Sequence, residues 1–215
     1  MPSGTDSINW GLAIKKTTHA AEQERPDVKA ARIQWRQSQP QWDSQRLVFI
    51  DETGLNTKMA RLYGRSPTNR RCVASVPHGH WQSSTFIAAL RAESITAPFL
   101  IDGAVNADVF TAYLEQVLCP ELRCGDVVVL DNLSTHKIAS VNALISARGA
   151  TVRYLPPYSP DLNPIEMAFA KLKSHLRQAA ARNLDDLLDA LAHSLTSFRP
   201  THCQGFFRHA HYASI

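Results

Sequence analysis

Long apolar runs, paired cysteines and internal repeats are all missing from this chain of 215 residues. No apolar stretch approaches the roughly 18 residues that a membrane span needs, and the N-terminus lacks the basic-then-apolar pattern of a secretory signal. The four cysteines show no CxxC pair and no zinc-ligand spacing, so free thiols in a reducing cytosol are the simplest interpretation. We therefore expect a cytoplasmic protein.

Acidic residues are missing from one long segment of the chain. Between Thr53 and Leu90 there is no Asp or Glu, whereas five cations fall there: Lys58, Arg61, Arg65, Arg70 and Arg71. The net charge of +4 is too small to identify a partner, so the placement of the charge is more informative than its sum. Both a solvated basic loop and a phosphate-contacting surface explain this segment.

The hydrophobic pattern predicts one α/β domain. Short apolar runs at residues 47–50, 85–90, 98–101, 127–130 and 152–155 predict strands. Helices are expected after Asn106, Asp131, Asn163 and Asn183, with Gly149 ending the second of them. Strands come first, strands and helices then alternate, and helices come last, which predicts a mixed central sheet with helices on both faces.

We divide the chain into three parts. Residues 1–45 form an N-terminal arm, residues 46–200 the main domain, and residues 201–215 a C-terminal tail. The arm contains one predicted helix, from Pro26 to about Gln37, because proline suits a first helical turn. Its apolar residues form a poor stripe, so we expect this helix to need a larger body to pack on.

Three acids stand where their carboxylates could meet. Asp51 and Asp131 each close an apolar strand, and functional residues collect at the carboxyl ends of strands in such sheets. Glu166 lies in the first turn of a helix that follows a proline-rich loop. Phosphoryl transfer by two metal ions needs several carboxylates that converge from different elements, and Mg²⁺ prefers such oxygen ligands.

Each of these acids also has a purely structural interpretation. An acid that closes a strand is often a turn former, and Asp102 has the same local appearance as Asp51 and Asp131. Asn163 and Glu166 stand three residues apart, as in a capping box, in which the glutamate bonds back to the cap amide. Local pattern alone therefore leaves both interpretations open.

Three ordered motifs resemble the mariner-like family of DDE transposases, in its bacterial insertion-sequence branch. They are Phe49–Gly54 around the first acid, Val128–Asn132 with His136 and Lys137 around the second, and Leu155–Glu166 leading to the third. The 34 residues between Asp131 and Glu166 also match the spacing of this superfamily. The resemblance covers about Arg46 to Lys173 and selects Asp51, Asp131 and Glu166 as the catalytic and metal-binding triad.

This resemblance implies a ribonuclease-H-like fold, two Mg²⁺ or Mn²⁺ ions, cleavage at transposon ends and transfer of the freed strand into target DNA. The expected partners are double-stranded DNA, a second copy of the chain in a homodimer, and a DNA-binding product of an upstream reading frame. No membrane is involved, and the expected location is the nucleoid of a bacterial cytoplasm. The candidate DNA contacts are Arg65, Arg70, Arg71, His136, Lys137 and Lys173, although solvation or helix capping explains several of them equally well.

Two departures from the family pattern limit what the resemblance implies. Phe169 stands where the family commonly has a tryptophan, three residues after the third acid. Helix-turn-helix modules precede the catalytic domain in this family, whereas here only Trp10–Lys16 looks like the tail of one. We therefore expect a truncated copy or a second reading frame, and the alternative function is an inactive fragment that associates with DNA or dimerises. A carboxylate-pair glycosidase fits the basic segment and the aromatic content of 8% less well.

Overall fold

A computed structural model describes residues 20–61, 63–73, 75, 81–132 and 139–212. Within these residues, five strands form one sheet in the order β3-β2-β1-β4-β5. The strands are β1 (Leu47–Asn56), β2 (Ser83–Leu90), β3 (Ile95–Asp102), β4 (Val127–Leu130) and β5 (Thr151–Tyr154). The helices are α1 (Pro26–Ser38), α2 (Ala107–Tyr113), α3 (Ala139–Ser146), α4 (Pro164–Ala179), α5 (Leu184–Thr196) and α6 (Pro200–His209).

The sheet is mixed, as the sequence predicts. Strand β1 pairs in parallel with β4, and β4 pairs in parallel with β5. On the other side of β1, β1 pairs antiparallel with β2, and β2 pairs antiparallel with β3. Phe49 lies opposite Val129 in the parallel pair. If this register is continued by two residues, Asp51 lies beside Asp131, so the sheet itself brings the first two acids to the same edge.

Helices cover both faces of the sheet, which confirms the predicted layering. Alternate residues of β1 point to opposite sides, so that Leu47 and Phe49 pack with α4, α5 and α6, whereas Val48 and Ile50 pack with α2 and α3. Full burial of one Leu or Phe side chain contributes about 1.5–3 kcal/mol, which makes these two cores the main source of stability.

Strand β1 differs from its prediction. The sequence predicted that the strand ends at Asp51, but β1 continues to Asn56 because β2 pairs with it along this whole length. Asp51 therefore lies inside a strand, at the point where β1 has passed its parallel pairing with β4. Asp131 directly follows β4, as predicted.

The helix predictions are confirmed in most details. Helix α1 begins at Pro26 as expected, and α2 is capped by Asn106, whose side chain accepts a hydrogen bond from the Val109 amide. Helix α3 ends three residues before Gly149, which adopts a φ of +69°, a conformation that favours glycine. Helix α4 buries its predicted stripe of Ile165, Phe169, Leu172 and Leu176.

The two ends of the described chain pack on the main domain. Helix α1 buries Val28 and Trp35, which supplies the larger body that this helix was expected to need. Residues 201–215 were predicted to be a tail, but α6 buries Cys203 and Phe207 in the core, and Tyr212 packs beside them. The reason is an apolar stripe at four-residue spacing that the sequence analysis did not use. The division at residues 45 and 200 stays a prediction, and Trp10–Lys16 lie outside the described residues.

The structure bears on two features that the sequence lacks, a membrane-spanning segment and paired cysteines. Among the described residues, no helix combines the length and the apolar character that crossing a bilayer requires. All four cysteines carry free thiols, with Cys119 and Cys203 buried and Cys72 and Cys124 exposed.

Candidate active site

The three predicted acids line one cavity at the edge of the sheet. Asp51 reaches it from β1, Asp131 from the residue after β4, and Glu166 from the first turn of α4. The cavity has a volume of about 410 Å³, and the proline-rich loop at residues 155–160 forms another of its walls. Asp102, which resembles the acids locally, is exposed and does not line this cavity. The fold therefore separates the three acids from Asp102.

Asp51 is oriented by donors on both of its oxygens. Its Oδ1 accepts a hydrogen bond of 2.7 Å from the Glu52 amide, and its Oδ2 accepts one of 2.9 Å from Asn163 Nδ2. These two bonds orient the Asp51 carboxylate at the cavity.

Glu166 interacts electrostatically with Asp131 across the cavity. Its side chain is open to solvent at the cavity, yet burial of the carboxyl among protein atoms raises its pKa. Lys173 acts in the opposite direction, and the negative charge of Asp131 raises the pKa further. Asp131 and Glu166 line the same cavity, and the charge of one affects the ionisation of the other.

The structure does not support the capping-box interpretation of Glu166. Asn163 is the N-cap of α4, but within the described residues its side chain makes no capping hydrogen bond. It donates to Asp51 instead. The two residues are thus not joined reciprocally, and Glu166 is left facing the cavity.

The donor set fits a hard divalent cation, although no complete metal cage is present. Among the described residues, no three His, Cys, Asp or Glu side chains lie close enough together to hold a metal ion by themselves. Mg²⁺ retains several waters and is often bound through one or two carboxylates, so it does not need such a cage. The oxygen-only chemistry of Asp51, Asp131 and Glu166 therefore fits Mg²⁺ or Mn²⁺.

The predicted DNA-binding residues fall into three groups. Arg65, Arg70 and Arg71 are exposed in the irregular segment between β1 and β2 and do not line the cavity of the acids. His136 and Lys137 lie outside the described residues. Lys173 is half-buried on α4 and is the one member of the set that acts on a triad acid within the described part of the chain.

Lys173 also lines a second groove on the domain surface. This groove has a volume of about 510 Å³, and further cations in its wall are Lys58 and Arg177. Trp81 is 53% exposed there, with the Lys58 ammonium 4.3 Å from the centre of its ring. The sequence analysis missed Arg177, although the spacing of 166, 173 and 177 places all three on one side of a helix.

The loop before Glu166 is held by α1. Arg32 forms a two-pronged ion pair with Asp161, with distances of 2.8 Å and 2.7 Å, and it also donates to Ser159 Oγ at 2.7 Å. Arg36 adds a bond of 3.1 Å to Asp161. The arm helix thus fixes the segment that places the third acid, a role that sequence spacing does not reveal because the partners are more than 120 residues apart.

The C-terminal segment holds the same loop from its other side. Tyr212 donates from its hydroxyl to the Leu162 carbonyl at 2.7 Å and accepts from Trp35 Nε1 at 3.1 Å. The side chain of Tyr212 is buried, so both bonds form away from water. Trp35, Tyr212 and Leu162 therefore join both ends of the described chain to the loop that precedes Glu166.

The Arg32–Asp161 pair predicts a dependence of stability on pH. Burial alone would raise the pKa of Asp161, but the hydrogen bond and the charge of Arg32 outweigh it and lower that pKa. The pair therefore stabilises the fold at neutral pH, and this contribution is lost as the pH falls through the lowered pKa. We expect Asp161→Asn to cost about 1 kcal/mol at pH 7, after allowance for screening by solvent, and nothing at strongly acidic pH.

Thermal melts of the parent and of Asp161→Asn across this pH range test the expectation. Arg32→Lys is the matched variant, because it keeps the cation but cannot form the two-pronged pair. A difference between parent and Asp161→Asn that is constant from acidic to neutral pH would contradict the charge-based explanation.

Fold and site together define a member of a nuclease family. The chain belongs to the family described as DDE superfamily endonuclease, whose model matches residues 46–188. No curated protein sequence is similar enough to match.

Several solved structures share the fold. The Mos1 transposase paired-end complex with the left transposon end is 15% identical, with a TM-score of 0.68 over 94% of this chain and 63% of that chain. The catalytic domain of Mos1 mariner transposase is 15% identical, with a TM-score of 0.62 over 93% of this chain and 91% of that chain. This similarity confirms the expected ribonuclease-H-like fold. The chain spans about 63% of the length of the paired-end complex protein.

Proposed function

We propose that this chain is the catalytic domain of a DNA transposase, which cleaves phosphodiester bonds at transposon ends and transfers the freed strand into target DNA. The observation that carries the proposal is the single cavity lined by Asp51, Asp131 and Glu166, which arrive from three different elements. Family membership supports the nuclease chemistry. Solved structures with this fold include the Mos1 transposase paired-end complex with the left transposon end, and Mos1 paired-end complexes with Mg and with Mn.

Asp51, Asp131 and Glu166 would hold two divalent cations, with water as the remaining ligands. When bound, such ions lower the pKa of an attacking water or 3′-hydroxyl and stabilise the leaving oxygen. Asp51 contributes a carboxylate that is already oriented by Glu52 and Asn163. Glu166 contributes a carboxyl that burial makes reluctant to ionise, and Lys173 partly offsets this cost.

Metal-dependent nicking of supercoiled DNA by the isolated chain tests this proposal. The alternative function, an inactive fragment that associates with DNA or dimerises, predicts DNA binding without nicking under the same conditions. Nicking that persists when all divalent metal is chelated would contradict the proposed chemistry.

The groove lined by Lys58, Lys173 and Arg177 would receive the DNA backbone beyond the cleavage site. Lys173 lies seven positions after Glu166 in the helix, a rise of about 10 Å, and Arg177 follows one turn later. Phosphates of one strand would therefore meet a row of cations that begins at the acids and follows α4. The exposed arginines at 65, 70 and 71, together with His136 and Lys137, stay predicted DNA contacts.

The double variant Lys173→Ala/Arg177→Ala is expected to weaken DNA binding without regard to sequence. Each lost phosphate contact releases one counterion fewer, so the slope of log affinity against log salt should fall by about two. Fluorescence anisotropy with a labelled duplex, measured at several salt concentrations, gives this slope. Arg182→Ala is the control, because Arg182 is an exposed cation that does not line the groove.

Two results would contradict this assignment of the groove. One is an equal loss of affinity in Arg182→Ala. The other is tight, salt-resistant binding of the parent to a single sequence, which would mean that base contacts dominate. The homodimer, the upstream-frame partner and the nucleoid location stay predictions, and light scattering of the chain with and without DNA measures the first of them.

A further inference from the structure

Asn163 behaves differently from two other asparagines that begin helices in this chain. Asn106 and Asn183 cap α2 and α5 in the usual way, with the side-chain oxygen accepting from an amide in the first turn at 2.9 Å and 2.8 Å. Asn163 begins α4, yet within the described residues its side chain forms no such bond. It points across to β1 and donates to Asp51, a residue 112 positions earlier.

The orientation of the Asn163 amide follows from its partner. An ionised carboxylate only accepts hydrogen bonds, so the amide must present its NH₂ group to Asp51. Its Oδ1 is then left on the other side, buried and with no hydrogen-bond partner among the described residues. This arrangement forgoes a cap and leaves a buried oxygen unsatisfied, and both are costs to stability. A residue kept only for the helix would adopt the cap.

We propose that Asn163 is a positioning residue that ties the first acid of the triad to the helix carrying the third. The inference rests on the proposed function, because metal binding is the benefit that would offset the missing helix cap and the unsatisfied oxygen of Asn163. Asn163 is 3% exposed and lines the cavity of the acids, and its backbone carbonyl accepts from the Glu166 amide at 3.2 Å. One residue thus contacts Asp51 through its side chain and the start of the Glu166 turn through its backbone.

This role predicts how metal affinity responds to a change at residue 163. Replacement of a residue that orients a metal ligand without itself binding the metal typically lowers metal affinity by 10- to 100-fold. Asn163→Ser is the informative variant, since serine is an equally good cap but is too short to reach Asp51. The metal-free variant should melt at the parent's temperature or slightly above it. The Mn²⁺ concentration that gives half of the metal-induced rise in melting temperature should increase by about 10- to 100-fold.

Asn106→Ser is the matched control and should leave both quantities unchanged, because its serine replaces a helix cap that does not line the cavity of the acids. Asn163→Asp provides a second measurement that needs no metal. It places a second carboxylate against Asp51, so the metal-free protein should melt below the parent, whereas Asn106→Asp, at a cap that accepts from the Val109 amide, should not.

The outcomes separate the inference from the proposed function. If the parent responds to Mn²⁺ and Asn163→Ser has the parent's midpoint, Asn163 is only a structural residue and the inference is overturned. A melting temperature of Asn163→Asp equal to that of the parent would also overturn it, because the contact with Asp51 would not exist. If the parent itself gains no stability from Mn²⁺ or Mg²⁺, the proposed function fails first and the inference fails with it.

Discussion

Asp131→Asn is expected to abolish metal-dependent DNA cleavage while leaving the metal-free protein as stable as the parent, or slightly more stable. Asp131 repels Glu166 in the absence of metal, so removal of its charge relieves a cost. In the proposed metal site, the same change also removes a ligand. We expect Asp131→Asn to lose about 4 kcal/mol of transition-state stabilisation, which lowers the cleavage rate about a thousandfold.

The measurements are thermal melts with and without Mn²⁺, and nicking of supercoiled DNA. A metal that binds only the folded state stabilises it by about 2.7 kcal/mol at one hundred times its dissociation constant, and Asp131→Asn should lose this gain. Asp102→Asn, which removes an exposed acid outside the cavity, should keep both the gain and the activity. If Asp131→Asn melts lower without metal and still gains stability from Mn²⁺, Asp131 is a structural turn residue.

Asp126→Asn is expected to produce the largest loss of stability of the variants considered for this chain. Asp126 is fully buried and forms an ion pair of 2.6 Å with Arg91, which is 9% exposed. Its Oδ2 also accepts from the Arg123 amide at 2.8 Å. Removal of one member of a buried pair leaves the other charge uncompensated and costs about 3–5 kcal/mol. For a chain of this size, the melting temperature should fall by roughly 10 °C.

The pair lies before β4, at the opposite end of that strand from Asp131. Asp126→Asn should therefore lower the melting temperature and still gain stability from Mn²⁺, which distinguishes it from Asp131→Asn. Replacement of both partners, by Arg91→Met with Asp126→Leu, should recover most of the loss because no buried charge remains. Asp27→Asn, in an exposed pair with Arg25, should hardly change the melt. An equally small effect at Asp126 would contradict the buried-pair explanation.

The layered fold could be predicted because its signals are local. Strand β4 is a short run of valine and leucine, and a strand covered on both faces requires this composition. The far half of β1 could not be predicted in the same way. Residues 51–56 are mostly polar, with Leu55 as the one apolar side chain, and they form a strand because β2 pairs with them. Helix α6 was missed although its buried pair Cys203 and Phe207, four residues apart, was present in the sequence.

The residues of the candidate site also divide into those that the sequence predicts and those that it does not. The three acids could be selected because each follows a motif that is contiguous in the sequence. The contacts of Asn163, Arg32 and Tyr212 could not be selected, since their partners lie 112, 129 and 50 residues away. At the level of sequence, Asn163 looks the same as Asn183, and only the packing of α4 against β1 gives it a different partner.

Trp35, through Tyr212, and Arg32 both contact the loop that precedes Glu166. The folded domain is therefore larger than the segment that matches the family by sequence. The family match ends at residue 188, inside α5, and begins at residue 46, after α1. A fragment trimmed to those limits would contain all three acids and nothing of Tyr212, Trp35 or Arg32. Its inactivity would then say nothing about the acids, because their spacing depends on residues that lie beyond the matched segment.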